Sequence, residues 1–395
     1  MNVGFIAHGS GLYGANRSLL GLIDGLKPYG VASFVVTPME GDINNALHDR
    51  GVPCETIPIR WWMSKPFPGG SPLRRIRRAR RRRVKAVKRL RANLRVLPAL
   101  VRQMRQWEVE VVHTNSSVIP TGALAAWKLN APHVWHLREF GDLDYGWAPD
   151  WGRTVFRLLL GSADALIAVS DSVRRHVAKG VRCKNVSTVY NGIAWGRDFD
   201  RFRTLGEGIS GSEQPYTFTL VGRVHPAKGQ ETAIRALASV VSCFPTTRLH
   251  IVGDGDTQPL KRLTHQLDLA GNVEFVGYVE DPYPAYFRAN AVLVCSRHEA
   301  MGRVTAEAMS ACRPVIGFDS AGTAELVEDE HTGLLYSGDH EMLAESMMRC
   351  IRYPDYARQL GLNGWHVARR RFTVEMYAER VHSVLSTVLL AQSLT

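Results

Sequence analysis

The sequence predicts an α/β protein of two doubly wound, Rossmann-like domains facing across a cleft, and three observations carry that prediction. Short apolar runs alternate with helical patterns through the first half, a polar, Gly-rich interval follows at residues 206–215, and the same alternation then restarts. The length, 395 residues, exceeds the roughly 250–300 residues at which single cores stop growing. In the first half, residues 3–8, 33–37, 109–113, 133–137, 165–170 and 187–190 read as strands and 17–26 and 118–129 as helices, the βαβ pattern of a parallel sheet. In the second half, residues 217–221, 248–252, 273–276, 291–295 and 314–317 read as strands, separated by helices such as 231–241 and 305–311. Residues 373–391 keep helical periodicity through Val374, Tyr377, Val381, Val384 and Val388 and are expected to cross back to the first half. The expected organisation is a first domain at 1–195, a linker at 196–215, a second domain at 216–372 and the closing helix at 373–395. Ligands of such sheets bind beyond the carboxyl ends of the strands, so the cleft is the expected site.

The formal charge is +12, from 49 Lys and Arg against 37 Asp and Glu. Its location matters more than its size. Residues 71–105 hold 15 basic side chains, no acidic residue lies between Glu55 and Glu108, and the remainder of the chain nets −3. Ser71-Pro72 supplies an N-cap and first helical residue for a helix near 72–97. Val84, Val87, Leu90, Leu94, Leu97 and Val101 then recur at steps of three and four, within an arc of about 140° on a helical wheel. Cations at residues 74–83 oppose the positive end of the helix dipole, which an anionic surface would relieve. Trp61, Trp62, Met63 and Phe67 precede the helix and are of the kind that settles at lipid headgroup level. The expectation is docking on an anionic membrane through Trp61, Trp62, Arg80, Arg81, Arg82, Arg83, Lys85 and Lys88. A solvated basic face and a polyanion or nucleic-acid site are the two other readings, with nucleic acid the least favoured. Pro98 is expected to end or kink the helix.

Composition excludes several classes. At 45% hydrophobic and 22% charged the chain is an ordinary globular protein. No apolar stretch approaches the roughly 20 residues of a spanning helix, and the N-terminus reads as a strand rather than a secretory signal. Six cysteines without metal-ligand spacing suggest a reducing compartment, with Cys295 and Cys312 as core residues. The expected location is cytoplasmic, at the inner face of the cell membrane.

Two stretches of the second half carry chemistry. After the strand at 217–221, Gly222 lets backbone approach a ligand while Arg223 and Lys228 place two cations suited to a diphosphate; two solvated surface cations are the alternative. Downstream, residues 302–305 open a helix whose free N–H groups form an anion site. Glu299 before that helix and Glu307 in its early turns can point toward one cleft, or merely cap and solvate the helix. Asp254-Gly-Asp256 and Asp142-Leu-Asp144 superficially resemble metal-binding pairs, but the first reads as a turn after a strand, and no metal is expected. His136 ends a strand before Arg138-Glu139, where a ligand role competes with packing.

Taken together, these motifs resemble glycosyltransferase family 4, the retaining, GT-B type also called glycosyl transferases group 1. The resemblance rests on Gly222-Arg223, Lys228-Gly229, Gly253-Asp-Gly255, Val276-Gly277-Tyr278, Ser296 with Glu299 and Glu307 eight positions apart, Pro314-Val-Ile-Gly317, Gly322, Glu325-Leu-Val327 and Thr332-Gly-Leu-Leu335. The first half matches in order through Gly11-Leu-Tyr-Gly14-Ala-Asn-Arg17-Ser18, His113-Thr-Asn115-Ser116, His136-Leu-Arg138-Glu139, Ser170 and Tyr190-Asn191-Gly192. It implies a metal-independent transferase that uses a nucleoside-diphosphate sugar, UDP- or GDP-linked, as donor substrate without a further cofactor. Arg223 and Lys228 would hold the diphosphate, Glu307 the ribose, and Glu299 the donor sugar with the backbone of Gly302, Arg303 and Val304. The base would lie near Gly277 and Tyr278, Gly14 near the diphosphate and His136 near the donor sugar, giving Glu299, His136, Arg223 and Lys228 as the catalytic set. Tyr13 and Asn16 depart from the family's usual Gly-Gly-Ala-Glu loop.

Fixed cations and a helix N-terminus at the leaving oxygen stabilise charge where it develops as the glycosyl–phosphate bond breaks. The expected activity is therefore transfer of a sugar to a lipid-linked or polysaccharide acceptor, in the service of polysaccharide biosynthesis at the membrane. A related epimerase or phosphorylase and a non-catalytic nucleotide-sugar-binding subunit are the competing functions; presence of all four charged residues argues against both.

Overall fold

The computed structural model describes residues 1–66, 71–207 and 215–394, so Phe67 and the part of the expected linker at 208–214 lie outside the described residues. The chain divides into two compact units, Met1–Gly192 with Val374–Thr395, and Ile193–Thr373.

The first unit is built on a sheet of β1 (Asn2–Ile6), β2 (Ala32–Thr37), β3 (Cys54–Thr56), β5 (Val111–Thr114), β6 (His133–Leu137), β8 (Ala165–Ala168) and β9 (Asn185–Thr188) in the order β3-β2-β1-β5-β6-β8-β9, all parallel. Its central strands are buried on both faces, which is why they read as continuous apolar runs rather than alternations. A two-stranded antiparallel ribbon, β4 (Met63–Ser64) with β7 (Ala148–Pro149), stands beside it. The closing helix Val374–Ser393 packs in this unit, where Tyr377, Val381, Leu385 and Val388 share a core with Leu19, Ile23 and Leu26. Gly25 makes that approach possible, since a Cβ there would lie 2.7 Å from that of Ala378.

The second unit carries β10 (Thr217–Val221), β11 (Arg248–Val252), β12 (Val273–Gly277), β13 (Ala291–Val294), β14 (Val315–Phe318) and β15 (Gly333–Tyr336), in the order β12-β11-β10-β13-β14-β15, again all parallel. Residues expected as linker are in part helical: Gly196–Glu207 forms a helix of this unit, and the Trp365 indole donates to the carbonyl of Phe199 at its start (2.9 Å). Its apolar residues, Phe199, Phe202 and Leu205, recur at three-residue steps among charges that disguise them as linker.

The basic helix differs from expectation in three respects. It runs unbroken as Pro72–Gln106, with Pro98 inside it. Proline removes one backbone hydrogen bond, but Pro98 is on an exposed face, and the burial of Leu97, Leu100, Val101 and Met104 holds the following turns. The expected apolar stripe divides in two. Ala86, Asn93, Leu97, Leu100, Val101 and Met104 face the domain, whereas Leu73, Ile76, Val84, Leu90 and Leu94 are exposed. Trp62 is not a surface residue: it is buried, stacks near Trp135 and donates its indole N–H to the carbonyl of Ser117 (2.8 Å). Trp61 is half-buried and donates to the carbonyl of His8 (2.7 Å). Of the expected docking cations, Arg82 turns inward to the carbonyls of Ala148 and Pro149 (3.2 and 2.8 Å), while Arg80, Arg81, Arg83, Lys85 and Lys88 are exposed. No helix among the described residues is long and apolar enough to cross a membrane.

Candidate active site

In the second unit the sequence-predicted residues gather at the carboxyl ends of β12, β11, β10 and β13, four neighbours in the sheet. The chain leaves β10 through Gly222 and Arg223, turns at Pro226–Lys228, and enters the helix Gln230–Cys243 through Gly229. Gly229 is required there: its φ is +71°, and a Cβ would lie 2.5 Å from the carbonyl oxygen of Cys295 at the end of β13. This close approach ties the loop after β10 to the loop after β13 and so sets Lys228 opposite Glu299. Gly253 serves the same end between β11 and β10, because a Cβ would lie 2.1 Å from the carbonyl oxygen of Gly222.

The Lys228 ammonium meets the Glu299 carboxylate at 2.5 Å. Burial raises the carboxyl's pKa, but the charge and hydrogen bond of Lys228, with a bond from Ser296, outweigh it and hold Glu299 below the usual carboxylate range. Arg223 is exposed, and no side-chain partner reaches it among the described residues. Two cations therefore stand at one strand end, one reserved by a carboxylate and one open to a ligand.

The helix Arg303–Ser310 starts from Gly302 in the left-handed region, φ +80°. Glu307 lies buried one turn in, with both oxygens engaged: Arg303 Nε donates to Oε1 (2.9 Å) and the Tyr286 hydroxyl to Oε2 (2.9 Å). Burial, followed by the charge and hydrogen bond of Glu307, holds the Tyr286 phenol well above its ordinary pKa, so it donates rather than ionises. Sequence reading missed Tyr286; only its position in the helix Tyr283–Arg288 just before β13, facing the helix of Glu307 from the neighbouring loop, gives it meaning. Gly277 and Tyr278 close β12, with Tyr278 exposed and the Gly277 carbonyl accepting from the N–H of Gly253 (2.8 Å). Asp256 caps the turn before Gln258 through Oδ1 (3.0 Å).

The first unit places its residues at the ends of β1, β5 and β6. Gly14 is exposed at the start of the helix Gly14–Leu26. Asn16, the departure in that loop, is buried and donates to the carbonyls of Gly9 (3.0 Å) and Gly11 (2.8 Å), so it shapes the loop from within. His136 is wholly buried. Its Nδ1 lies 3.4 Å from His113 Nε2 and 3.4 Å from Arg138 Nη2, and its buried Nε2 finds no hydrogen-bond partner among the described residues. Burial first, then the charge of Arg138 and His113, hold it well below an imidazole's ordinary pKa, so it is a neutral group at the base of the strand ends rather than an acid.

Beside it, Arg138 spends its guanidinium on Asn115 (2.7 Å), Asn191 (2.7 Å) and the Tyr377 hydroxyl (2.8 Å). The next residue, Glu139, accepts at one oxygen, Oε1, from Ser116 Oγ (2.9 Å), Ser117 N–H (2.9 Å) and Ser117 Oγ (2.6 Å). Burial, only partly offset by these bonds, pushes its carboxyl up to about 7. Asp142, once a metal-like candidate, is taken by Arg153 (2.7 Å) and His176 (2.7 Å). Cys295 and Cys312 are buried, and burial pushes the Cys295 thiol up to about 12.

Comparison with known proteins adds to this geometry. Residues 13–194 match the family described as Glycosyltransferase Family 4, and residues 215–352 that described as Glycosyl transferases group 1. Phosphatidyl-myo-inositol mannosyltransferase of Mycobacterium leprae is 26% identical over 311 residues, 75% of this chain and 79% of that protein. GDP-mannose-dependent alpha-(1-6)-phosphatidylinositol monomannoside mannosyltransferase of Mycobacterium tuberculosis is 30% identical over 240 residues, 56% of this chain and 61% of that one. Among solved structures, Anabaena Alr3699/HepE in complex with UDP-glucose superposes with a TM-score of 0.77 at 22% identity, covering 98% of this chain and 100% of that one.

Proposed function

Because the chain belongs to glycosyltransferase family 4, with the GT-B fold of two Rossmann-like domains, we propose that it transfers a sugar from UDP or GDP to a lipid-linked or polysaccharide acceptor with retention of anomeric configuration. The observation that carries this is the arrangement of Arg223, Lys228, Glu299 and Glu307 around the N-terminus of the helix Arg303–Ser310, at the carboxyl edge of the second sheet. As the C1–O bond to the diphosphate breaks, positive charge grows on the ring and negative charge on the leaving oxygen. Arg223 and Lys228 meet the negative charge and the Glu299 carboxylate meets the ring, so the chain's own cations do what a divalent metal does elsewhere. The acceptor oxygen bonds to C1 on the face the phosphate leaves, and its proton passes to the departing diphosphate. Glu307 receives the ribose hydroxyls, Gly277 and Tyr278 the base, and the backbone of Gly302, Arg303 and Val304 the donor sugar. In the first unit, Gly14 is exposed at the strand ends for a ligand, whereas His136, neutral and wholly buried, shapes those strand ends from beneath.

The relatives named for phosphatidylinositol and its mannoside support a lipid acceptor, and the exposed face of the basic helix supports where it is met. Leu73, Ile76, Val84, Leu90 and Leu94 share an exposed face with Arg80 and Arg83, and Arg81, Lys85 and Lys88 lie to one side of it, a mixed apolar and cationic surface that suits the headgroup boundary of an anionic, cytosolic membrane face.

Incubation with radiolabelled UDP-glucose or GDP-mannose and phosphatidylinositol-containing vesicles tests the reading. Label is expected in lipid or glycan from one donor, and is lost in Lys228→Ala. Donor binding without transfer to any lipid or glycan acceptor would refute it.

A further inference from the structure

We propose that Glu139 receives the hydroxyl of the acceptor, a ring polyol such as a sugar or cyclitol, at the carboxyl edge of the first sheet. The inference rests on the glycosyltransferase reading above and adds to it the residue that seats the second substrate.

Position comes first. Ser116 and Ser117 follow β5 and Glu139 follows β6, two neighbouring parallel strands, so the carboxyl stands where ligands of such sheets bind. Its bonding is one-sided. All three hydrogen bonds converge on Oε1; Oε2 makes none among the described residues and is not one of the sealed polar atoms. No cation pairs with it among the described residues, and the guanidinium beside it is committed elsewhere. A buried carboxylate that serves structure alone is normally paired or bonded at both oxygens, because an unmet charge is costly. Here one oxygen is clamped and the other left open.

The surroundings fit a polyol. The loop of Ser116 and Ser117 is held by two indoles, Trp135 donating to the Ser116 carbonyl and Trp62 to that of Ser117, both at 2.8 Å. Trp61, next to Trp62, contacts Trp147 at 5.0 Å between ring centroids, and Trp147 stacks on Tyr145 at 4.5 Å. The loop that follows Glu139 is folded back by the backbone N–H of Trp147 on the Gly141 carbonyl (2.7 Å), which places Trp147 on the same turn of chain as the carboxyl. Trp61 and Trp147, half-buried, and the exposed Tyr145, on the segments that flank an open carboxylate oxygen, suit a ring with C–H groups on its face and hydroxyls on its rim. In the reaction Glu139 forms no bond to carbon: the acceptor oxygen bonds to C1, the C1–O bond to the diphosphate breaks, and the proton leaves with the diphosphate.

Glu139→Gln is the test, because the amide oxygen keeps all three donors while the open oxygen becomes an NH₂ donor. The full chain is titrated with myo-inositol and methyl α-D-mannopyranoside, followed by tryptophan fluorescence, and with UDP and GDP by calorimetry. Wild type is expected to respond to at least one polyol. At pH 8, above the pKa of about 7 to which burial pushes this carboxyl, the variant should bind it about tenfold or more weakly, the worth of one hydrogen bond to a charged group, with unchanged affinity for nucleoside diphosphate. An equal polyol response in the variant, or none in a wild type that binds UDP or GDP, overturns the proposal. Binding of neither nucleotide overturns instead the glycosyltransferase reading beneath it. Should Glu139→Gln not fold, Glu139→Asp, which keeps the charge but withdraws it by one methylene, is expected to show the same selective loss.

Discussion

Replacing Glu299 by Gln should tighten the binding of free nucleoside diphosphate while slowing transfer. In the structure Lys228 is bonded to Glu299 at 2.5 Å, so a diphosphate that takes Lys228 must first compete with that carboxylate. The side chains are 29% and 16% exposed, so the pair is neither a surface pair nor a fully buried one. Surface pairs contribute about 0–1 kcal/mol and severed buried pairs about 3–5 kcal/mol. A value near 1 kcal/mol fits this intermediate burial once solvent screening is counted, and it corresponds to about fivefold tighter binding of UDP or GDP. Gln keeps the shape and a polar end but holds no charge, so Lys228 is released to the phosphates. The intact sugar nucleotide should not gain in the same way, because its hydroxyls lose the carboxylate they would bond. Calorimetric titration of wild type and Glu299→Gln with the diphosphate and with the sugar nucleotide separates the two effects. Unchanged or weaker diphosphate affinity in the variant would refute the exchange of partners.

Lys228→Ala should weaken diphosphate binding by about tenfold or more, the worth of a charge-assisted hydrogen bond, with thermal unfolding little altered. Flotation with anionic liposomes should fall as salt rises and when Arg80, Arg81 and Arg83 are neutralised together; Leu90→Ser with Leu94→Ser should reduce it at any salt, and indifference to both changes would sink the docking claim. Acid should destabilise the first unit early. Burial holds His8 at about 4 and His113 and His133 at about 3. Below about pH 6.5 the unfolded imidazoles take up protons that the folded ones refuse, so stability is lost as pH falls, by roughly 1.4 kcal/mol per histidine per pH unit. Urea titrations from pH 7 to 4 check this, and a flat profile would contradict it.

What the sequence made legible follows from what local pattern encodes. Strands buried on both faces announce themselves as apolar runs, and glycines forced by backbone approach, Gly229 and Gly253, stand beside the charges they position; the second unit and the gathering of its charged residues at the strand ends were readable for that reason. Periodicity identified the basic helix but not which way it faced. Asn93 and Ala86 interrupt its apolar spacing yet point inward, the Asn93 side chain bonding the backbone of Arg60 through both its oxygen and its amide, while Leu90 and Leu94 satisfy the spacing and point out. The same limit turned Trp62 from an expected lipid contact into a buried indole, because its partner, the carbonyl of Ser117, is 55 residues away. Arg89 shows the consequence. Nothing in the basic run sets it apart from its neighbours, yet it bonds Met63, Ser64 and the fully buried carboxylate of Asp150 (2.6, 2.8 and 3.0 Å), pinning the ribbon of β4 and β7 to the helix. A helix read as a docking surface is thus also the clamp on the ribbon that follows Trp61 and Trp62, with Arg82 and Arg89 turned inward to that ribbon while Arg80, Arg81, Arg83, Lys85 and Lys88 are turned out to solvent.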